Sequence, residues 1–313
     1  MKKIWKLLSV MVVALALGAC ASGGDSASDG DGGDAADEKP VVTVSTSFLR
    51  DMVEQLAGDQ VTVETIIPAG EDPHGYLARP DDLKKIQGAD LVLYHGLHLE
   101  AQMVEALEAT GVAVTKDFTD EDLTMVDQDG ESEVDPHFWF DITLYQKAVD
   151  TVAAELVTLT GDESINDTAT AYKEELTELD TWAQAEIDSI PEGQRYLITP
   201  LDAFNYFSQR YGIEVVAPQG ISTQAEASNA DISTIASFIA ENEVPAIFAE
   251  STTDPARMQR IQEAVNADGG EVTVVSGEGQ ELFSDSLASE GQEGDTYINM
   301  FKHNVNLIVS NLK

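Results

Sequence analysis

The sequence predicts an α/β protein in which one long connecting helix joins two parallel-sheet α/β domains. Short β-rich and helical segments alternate strictly from Val41 onward, a pattern typical of parallel strands covered by helices. A second alternating series begins at Arg195. Between the two series, apolar residues recur at helical spacing over 165–190. This stripe predicts a helix of about 26 residues, roughly 39 Å long.

The first residues indicate an export signal. Three lysines precede an apolar run over 7–17 that is too short to span a bilayer. The run ends in Leu17-Gly18-Ala19-Cys20, which resembles a bacterial lipobox and implies cleavage after residue 19 and lipid attachment to Cys20. The alternative is an ordinary signal with an incidental cysteine. Cys20 is the only cysteine, so the chain can form neither an intramolecular disulfide nor a thiolate metal site.

A flexible, acidic, lipid-anchored linker is predicted over 20–40. Its Gly, Ser, Ala and Asp residues cannot bury a core. The whole chain has 57 acidic and 17 basic residues, a net charge of −40, which disfavours nucleic acid as a partner. An acid excess spread along the chain is typical of a salt-adapted surface, so charge alone does not identify a metal-binding protein.

The N-terminal domain is predicted over 41–160, and it contains four strands and the helices between them. The acidic segment Thr119–Val134 is expected to be an irregular, mobile loop. The predicted strands are Val41–Ser47, Val61–Ile67, Ala89–Tyr94 and Val112–Thr115. The predicted helices are Phe48–Leu56, one from Pro80, and Leu99–Ala109.

The connecting helix is assigned to 161–193, where Pro191-Glu192-Gly193 stops it. The C-terminal domain then covers 194–313. Its predicted strands are Tyr196–Thr199, Ile213–Val216, Ala246–Ala249 and Glu271–Val275. Its predicted helices are Asp202–Tyr211, Asp231–Asn242, Pro255–Ala267 and Tyr297–Leu312.

Two of the five histidines occur in the same tripeptide, Asp-Pro-His, at 72–74 and 135–137. Proline keeps the preceding residue out of the helical region, so each histidine should stand on a rigid loop. Two imidazoles on such loops predict a metal-ligand pair, His74 and His137. The alternative is two surface turns that happen to carry histidine.

Several further polar side chains follow predicted strands. In open parallel sheets, ligands bind beyond the carboxyl ends of the strands. We therefore expect one cleft between the two domains. The side chains expected to line it are His74, His137, Asp202, Glu250 and Asp295.

Six stretches of the sequence together carry a resemblance to one family. The stretches are Asp72-Pro73-His74, Gly96-Leu97-His98-Leu99-Glu100, Asp135-Pro136-His137-Phe138-Trp139-Phe140-Asp141, Asp202-Ala203-Phe204-Asn205-Tyr206-Phe207, Phe248-Ala249-Glu250-Ser251 and Gly294-Asp295-Thr296-Tyr297. They cover the chain from about residue 41 to its end and resemble the zinc- and manganese-binding solute receptors of bacterial ABC uptake systems (TroA-like lipoproteins). The resemblance implies two α/β domains with a metal ion between them.

The resemblance also implies a ligand set: His74, His137 and, before the final helix, Asp295. The family's remaining ligand, a His or a Glu, stands at the position of Leu201, and leucine cannot bind a metal. Water could then complete the site, Asp202 or Glu250 could turn inward, or metal binding could be impaired.

The remaining histidines are expected to be structural. His95 and His98 follow a predicted strand near the cleft, and His303 lies inside the last helix. The alternative is that His98 touches the metal or that His95 replaces the missing ligand. The aspartates Asp72, Asp135 and Asp141 are expected to orient the ligand loops.

The resulting hypothesis is an extracytoplasmic, lipid-anchored receptor at the cell membrane. It would be a monomer that captures Zn²⁺ or Mn²⁺ as transported ligand and presents it to an ABC permease, without catalysing a reaction. Two imidazoles and a carboxylate suit Zn²⁺, whereas more oxygen ligands would suit Mn²⁺. The alternatives are a receptor-like adhesin with a degenerate metal site and a metal-dependent hydrolase. Against the hydrolase, the sequence contains no His-Glu-x-x-His motif.

Overall fold

The structure is a computed structural model that describes residues 39–128, 130–224 and 226–313. The predicted signal, Cys20 and nearly all of the acidic linker lie outside the described residues. Within the described chain, parallel strands and helices alternate in two halves, which confirms the predicted fold class. The limits predicted for the two domains and the connecting helix stay a prediction.

The N-terminal half contains a sheet of four parallel strands in the order β2-β1-β3-β4. Val42 of the central strand pairs with Val63 on one side and Leu91 on the other. All four strands lie inside the segments that the sequence predicts. They are β1 (Val41–Val44), β2 (Thr62–Thr65), β3 (Leu91–Tyr94) and β4 (Val112–Ala113).

Four helices accompany this sheet: α1 (Ser47–Ala57), α2 (Pro80–Gly88), α3 (Val104–Glu108) and α4 (Ile142–Thr160). Helix α3 begins five residues later than predicted. Gly96, Leu97 and His98 have φ angles of 85°, 55° and 62°, a left-handed backbone that cannot lead straight into a helix. The following residues form turns instead.

The prediction of an irregular, mobile loop over Thr119–Val134 is wrong, because this segment contains an antiparallel hairpin. Strands β5 (Met125–Gln128) and β6 (Glu131–Val134) pair with each other. Gly130 has a φ of 86° and its amide donates to Asp127 Oδ1 at 3.0 Å, which favours a tight turn. Most acidic side chains of the hairpin are exposed, so their charge does not oppose strand pairing.

The long helix α5 (Ser164–Asp188) has 25 residues, close to the predicted length. Its buried side chains recur every three or four positions, as in an amphipathic helix. They are Ile165, Ala169, Tyr172, Leu176, Leu179, Ala183 and Ile187. The helix contacts α1 and α4 of the N-terminal half as well as elements of the C-terminal half, so it joins the two.

Among its described residues, the C-terminal half has four strands in two parallel pairs, β7–β8 and β9–β10. The strands are β7 (Tyr196–Ile198), β8 (Glu214–Val216), β9 (Ala246–Phe248) and β10 (Thr273–Val275). The helices are α6 (Asn205–Tyr211), α7 (Asn229–Glu241), α8 (Ala256–Ala267) and α9 (Tyr297–Leu312). All eight elements overlap their predicted segments.

One large apolar core runs through both halves. It includes Phe48 of α1, Trp139 before α4, Phe204 before α6 and Tyr297 of α9. Phe140 and Phe204 stack with ring centroids 4.3 Å apart, so the core connects the two halves directly. Within the described residues, no helix is long and apolar enough to cross a membrane.

Candidate metal centre

Three side chains converge at a buried point between the halves: His74, His137 and Asp285. The Nε2 atoms of the two histidines lie 3.3 Å apart. Oδ1 of Asp285 lies 3.1 Å from Nε2 of His137 and 3.8 Å from Nε2 of His74. All three residues are at most 2% exposed. In the described part of the chain, this is the one group of three or more His, Cys, Asp or Glu residues whose donor atoms all lie within 4.8 Å of one another.

The same type of local hydrogen bond holds the backbone of both histidines. In each Asp-Pro-His tripeptide, the aspartate Oδ1 accepts a hydrogen bond from the histidine amide, at 2.9 Å in both cases. His74 lies in the loop after β2, and His137 directly precedes a single helical turn, Phe138–Phe140. Asp135 also lies 2.6 Å from Nδ1 of His137. That contact directs Nε2 of His137 toward the cluster.

Asp285 lies in the segment between β10 and α9. Leu282 exchanges backbone hydrogen bonds with Ala249 and Ser251, so this segment runs alongside the end of β9. The Trp139 indole N–H then donates to the Ser284 carbonyl at 3.0 Å. This bond connects the chain around His137 with the chain around Asp285, and it helps to fix both donors.

The carboxylate of Asp285 is buried, and the imidazoles of His137 and His74 face its Oδ1. Burial by itself would raise the pKa of this carboxyl, but His137 and His74 outweigh burial and hold the pKa well below its usual range. Burial likewise lowers the pKa of His137, yet Asp135 and Asp285 together raise it to about 10. The carboxylate of Asp285 and the imidazole of His137 therefore stabilise each other's charged form.

Glu250 lies behind the cluster and is fully buried. Its Oε1 accepts from the Leu201 amide at 3.3 Å, and its Oε2 accepts from Ser284 Oγ at 2.7 Å. Burial, followed by repulsion from Asp285, raises the pKa of Glu250 to about 8. Leu201 is also fully buried and belongs to the large apolar core.

Asp202 and Asp295 are not members of the converging group. The amide of Asp202 donates to the Gln219 carbonyl at 3.1 Å, and burial raises the pKa of its carboxyl. Asp295 is partly exposed, and its Oδ2 accepts from the Gly291 amide at 2.9 Å. The structure thus places Asp285 beside the histidines, whereas the family resemblance implies Asp295, from the same inter-element segment.

The other histidines have separate surroundings. His95 Nε2 lies 2.7 Å from Thr46 Oγ1, and burial lowers the pKa of His95 to about 3. His98 is exposed. His303 Nε2 lies 3.0 Å from the Glu281 carbonyl oxygen. None of the three belongs to the converging group.

The donor geometry suits a small divalent cation. Tetrahedral Zn²⁺ with Zn–N bonds of about 2.0–2.1 Å separates its ligand atoms by about 3.3 Å, within the 3.1–3.8 Å found here. A cation would satisfy both carboxylate charge and imidazole lone pairs in a dry environment. Three donors leave at least one further coordination position.

Comparison with known proteins also indicates metal binding. A family model described as zinc-uptake complex component A, periplasmic (ZnuA) matches residues 42–311. The manganese-binding lipoprotein MntA of Bacillus subtilis is 35% identical, over 98% of this chain and 98% of its own. The zinc-binding protein TroA of Treponema pallidum is 36% identical, over 89% of this chain and 90% of its own.

Solved structures agree in fold. A structure of TroA from work on its metal binding specificity has a TM-score of 0.87 and 56% identity, covering 88% of this chain and all of the other. The periplasmic zinc binding protein TroA from Treponema pallidum has a TM-score of 0.83 and 36% identity, and the match covers 88% of this chain and 99% of the other.

Fold and site together define a class: α/β proteins whose two halves enclose a buried cluster of imidazole and carboxylate donors. The chain belongs to the family of periplasmic zinc-uptake components. The matched relatives are named as binding proteins, which fits a protein that is not an enzyme.

Proposed function

We propose that this protein is the metal receptor of an ABC importer and that it captures Zn²⁺ or Mn²⁺ as the transported substrate. His74, His137 and Asp285 would hold the ion. The observation that carries the proposal is the convergence of the buried Asp285 carboxylate with the Nε2 atoms of two buried histidines. A buried ionised group is costly unless it is paired or binds a metal.

The fourth coordination position distinguishes this site from a complete one. Leu201 offers no donor atom, and Glu250 is engaged by the Leu201 amide and Ser284. We therefore propose that water completes the coordination, with Glu250 and Asp202 as conditional ligands that would first have to turn toward the ion. Such a site should bind less tightly and less selectively than one with four protein donors.

We further propose that the receptor works as a monomer outside the cytoplasm, tethered to the membrane by lipid on Cys20, and passes its ion to a membrane permease. Two similar proteins are named manganese-binding lipoproteins, and another is named a manganese ABC transporter substrate-binding lipoprotein. The acidic composition of 20–40 suits a spacer between anchor and folded part.

Elemental analysis of the native protein, followed by competitive titration with Zn²⁺ and Mn²⁺, tests the proposal. We expect one ion per chain and saturable binding. A chain that carries no transition metal and binds neither ion would contradict it and would favour a receptor-like adhesin. Hydrolytic turnover by the metal-loaded protein would instead favour the hydrolase alternative.

A further inference from the structure

Both ligand-bearing loops of the N-terminal half are attached to the C-terminal half through their aspartates. In each loop, one carboxylate oxygen accepts from the amide of the ligand histidine. The second oxygen accepts from a neutral side chain of the other half. Thr223 Oγ1 donates to Asp72 Oδ2, and Asn205 Nδ2 donates to Asp135 Oδ2 at 3.0 Å.

The two imidazoles nevertheless differ in how their orientation is fixed. Nδ1 of His137 lies 2.6 Å from Asp135 Oδ1, the usual arrangement for a metal-binding histidine. For Nδ1 of His74, no protein hydrogen-bond partner exists among residues 39–128, 130–224 and 226–313. Apart from the contacts of its ring with His137 and Asp285, His74 is therefore positioned by the backbone of its loop.

That backbone is held from the C-terminal half at two points. Thr223 bonds Asp72, and Gln224 Nε2 donates to the carbonyl of His74 at 3.0 Å. Gly75 leaves space for the first contact, since a Cβ there would lie 3.2 Å from Asp72 Oδ2.

The segment that carries Thr223 and Gln224 is itself anchored. Gln219 forms a parallel bridge with Leu201, its Nε2 donates to the Ser222 carbonyl at 3.1 Å, and Arg257 donates to its Oε1. The base of the segment is therefore fixed to the C-terminal half, while Gln224 at its tip is exposed.

We propose that Thr223 and Gln224, the 223–224 latch, are positioning residues that set how long the metal stays bound. This inference rests on the proposed function. When the latch contacts break, His74 can leave the ion while His137 and Asp285 keep their places. The latch should thus slow dissociation of the ion and have little influence on its association.

Stopped-flow transfer of Zn²⁺ from the purified full chain to an excess of chelator measures this dissociation rate. The test variants are Thr223→Val, which keeps shape but removes the hydroxyl, and Gln224→Leu. We expect each to raise the dissociation rate roughly tenfold, the lower range for loss of a group that supports a metal ligand. Thr223→Ser retains the hydroxyl and should restore the parent rate.

Two control variants distinguish a loss of His74 positioning from a general weakening of metal binding. Thr234→Val removes an exposed hydroxyl from α7 and should leave the rate unchanged. Asn205→Ala removes the other tether and should have a smaller effect than Thr223→Val, because Asp135 still orients the imidazole of His137. The melting temperatures of the metal-free variants should match the parent within about 1 °C, since the latch contacts are partly solvent-accessible.

A parent chain that binds Zn²⁺ and a Thr223→Val variant with the parent's dissociation rate would overturn the latch while leaving the proposed function intact. The latch would also be overturned if Thr223→Ser failed to restore the rate. A parent chain that binds no Zn²⁺ would overturn the proposed function itself.

Discussion

Nδ1 of His137 lies 2.6 Å from Oδ1 of Asp135, and the opposite ring nitrogen of His137 lies 3.3 Å from Nε2 of His74. The carboxylate therefore fixes which ring nitrogen of His137 faces His74 and Asp285. Both residues are fully buried, so water cannot easily replace this contact.

Asp135→Asn should weaken Zn²⁺ binding by roughly 10- to 100-fold, because an amide neither supplies the negative charge nor fixes the tautomer of His137. Isothermal titration calorimetry measures the change. Asp141→Asn is a matched control: the sequence suggests that Asp141 orients a ligand loop, but its carboxylate caps α4 through the Thr143 amide, and Asn caps helices about as well. Equal affinities for parent and Asp135→Asn would contradict this role.

Asp285→Asn should abolish the stabilisation of the protein by metal, because it removes the carboxylate that faces both histidines. A ligand at a hundred times its dissociation constant adds about 2.7 kcal/mol to the free energy of unfolding. Thermal melting with and without Zn²⁺ or Mn²⁺ measures this gain.

The variants His74→Ala and His137→Ala should also lose the stabilisation by metal, whereas Asp295→Asn should keep it. If Asp295→Asn lost the stabilisation and Asp285→Asn kept it, the assignment of the carboxylate ligand would have to be reversed.

Leu201→His should tighten Zn²⁺ binding by about tenfold or more, or about 1.4 kcal/mol, because it supplies the missing fourth donor. Competitive titration against a chelator of known affinity measures it. Leu201→Val keeps the position apolar and should bind like the parent. If Leu201→His leaves affinity unchanged while Asp202→Ala abolishes binding, Asp202 is the ligand and the incomplete-site account fails.

In the metal-free protein, the free energy of unfolding should fall less between pH 5 and pH 8 for Glu250→Gln than for the parent. The folded state raises the pKa of Glu250 from 4.5 to about 8. Between these values the unfolded chain binds fewer protons than the folded one, so the free energy of unfolding falls as pH rises. Glutamine does not ionise and removes this contribution.

Chemical denaturation in the presence of chelator, repeated across this pH range, checks the Glu250 prediction. Glu263→Gln, at an exposed position of α8, serves as the control. Identical pH profiles for the parent and Glu250→Gln would show that Glu250 does not titrate in this way.

Cys20→Ala should release the protein from the membrane or leave its signal uncleaved, because the modified cysteine is the expected anchor. One acyl chain gives only marginal membrane binding, so firm attachment needs more than one. Membrane fractionation and mass spectrometry of the N-terminus check this. A parent chain without lipid would contradict the anchoring proposal.

Much of the fold could be predicted because its elements follow simple periodicities. The strands at Val41 and Leu91 and the stripe along α5 are local patterns of apolar residues. The β5–β6 hairpin was missed because its exposed acidic side chains obscure strand alternation. Its stability depends on cross-strand pairing and on a glycine turn, which a search for apolar segments does not detect.

The site was predictable in part for a different reason. The repeated Asp-Pro-His tripeptide marks its two loops without any knowledge of tertiary structure. The choice between Asp285 and Asp295 depends on how the long segment after β10 folds back along β9. One signal was available: Asp285 stands between Phe283 and Leu287, where an acid is expected to be buried, whereas Asp295 follows a Gly- and Glu-rich stretch.

The order of the three donors along the chain has a consequence for biosynthesis. His74 and His137 belong to the first half, and Asp285 lies close to the C-terminus. The cluster therefore does not exist until nearly the whole polypeptide has emerged and both halves have closed around it. A partly synthesised chain therefore carries at most the two imidazoles of the first half and no assembled cluster.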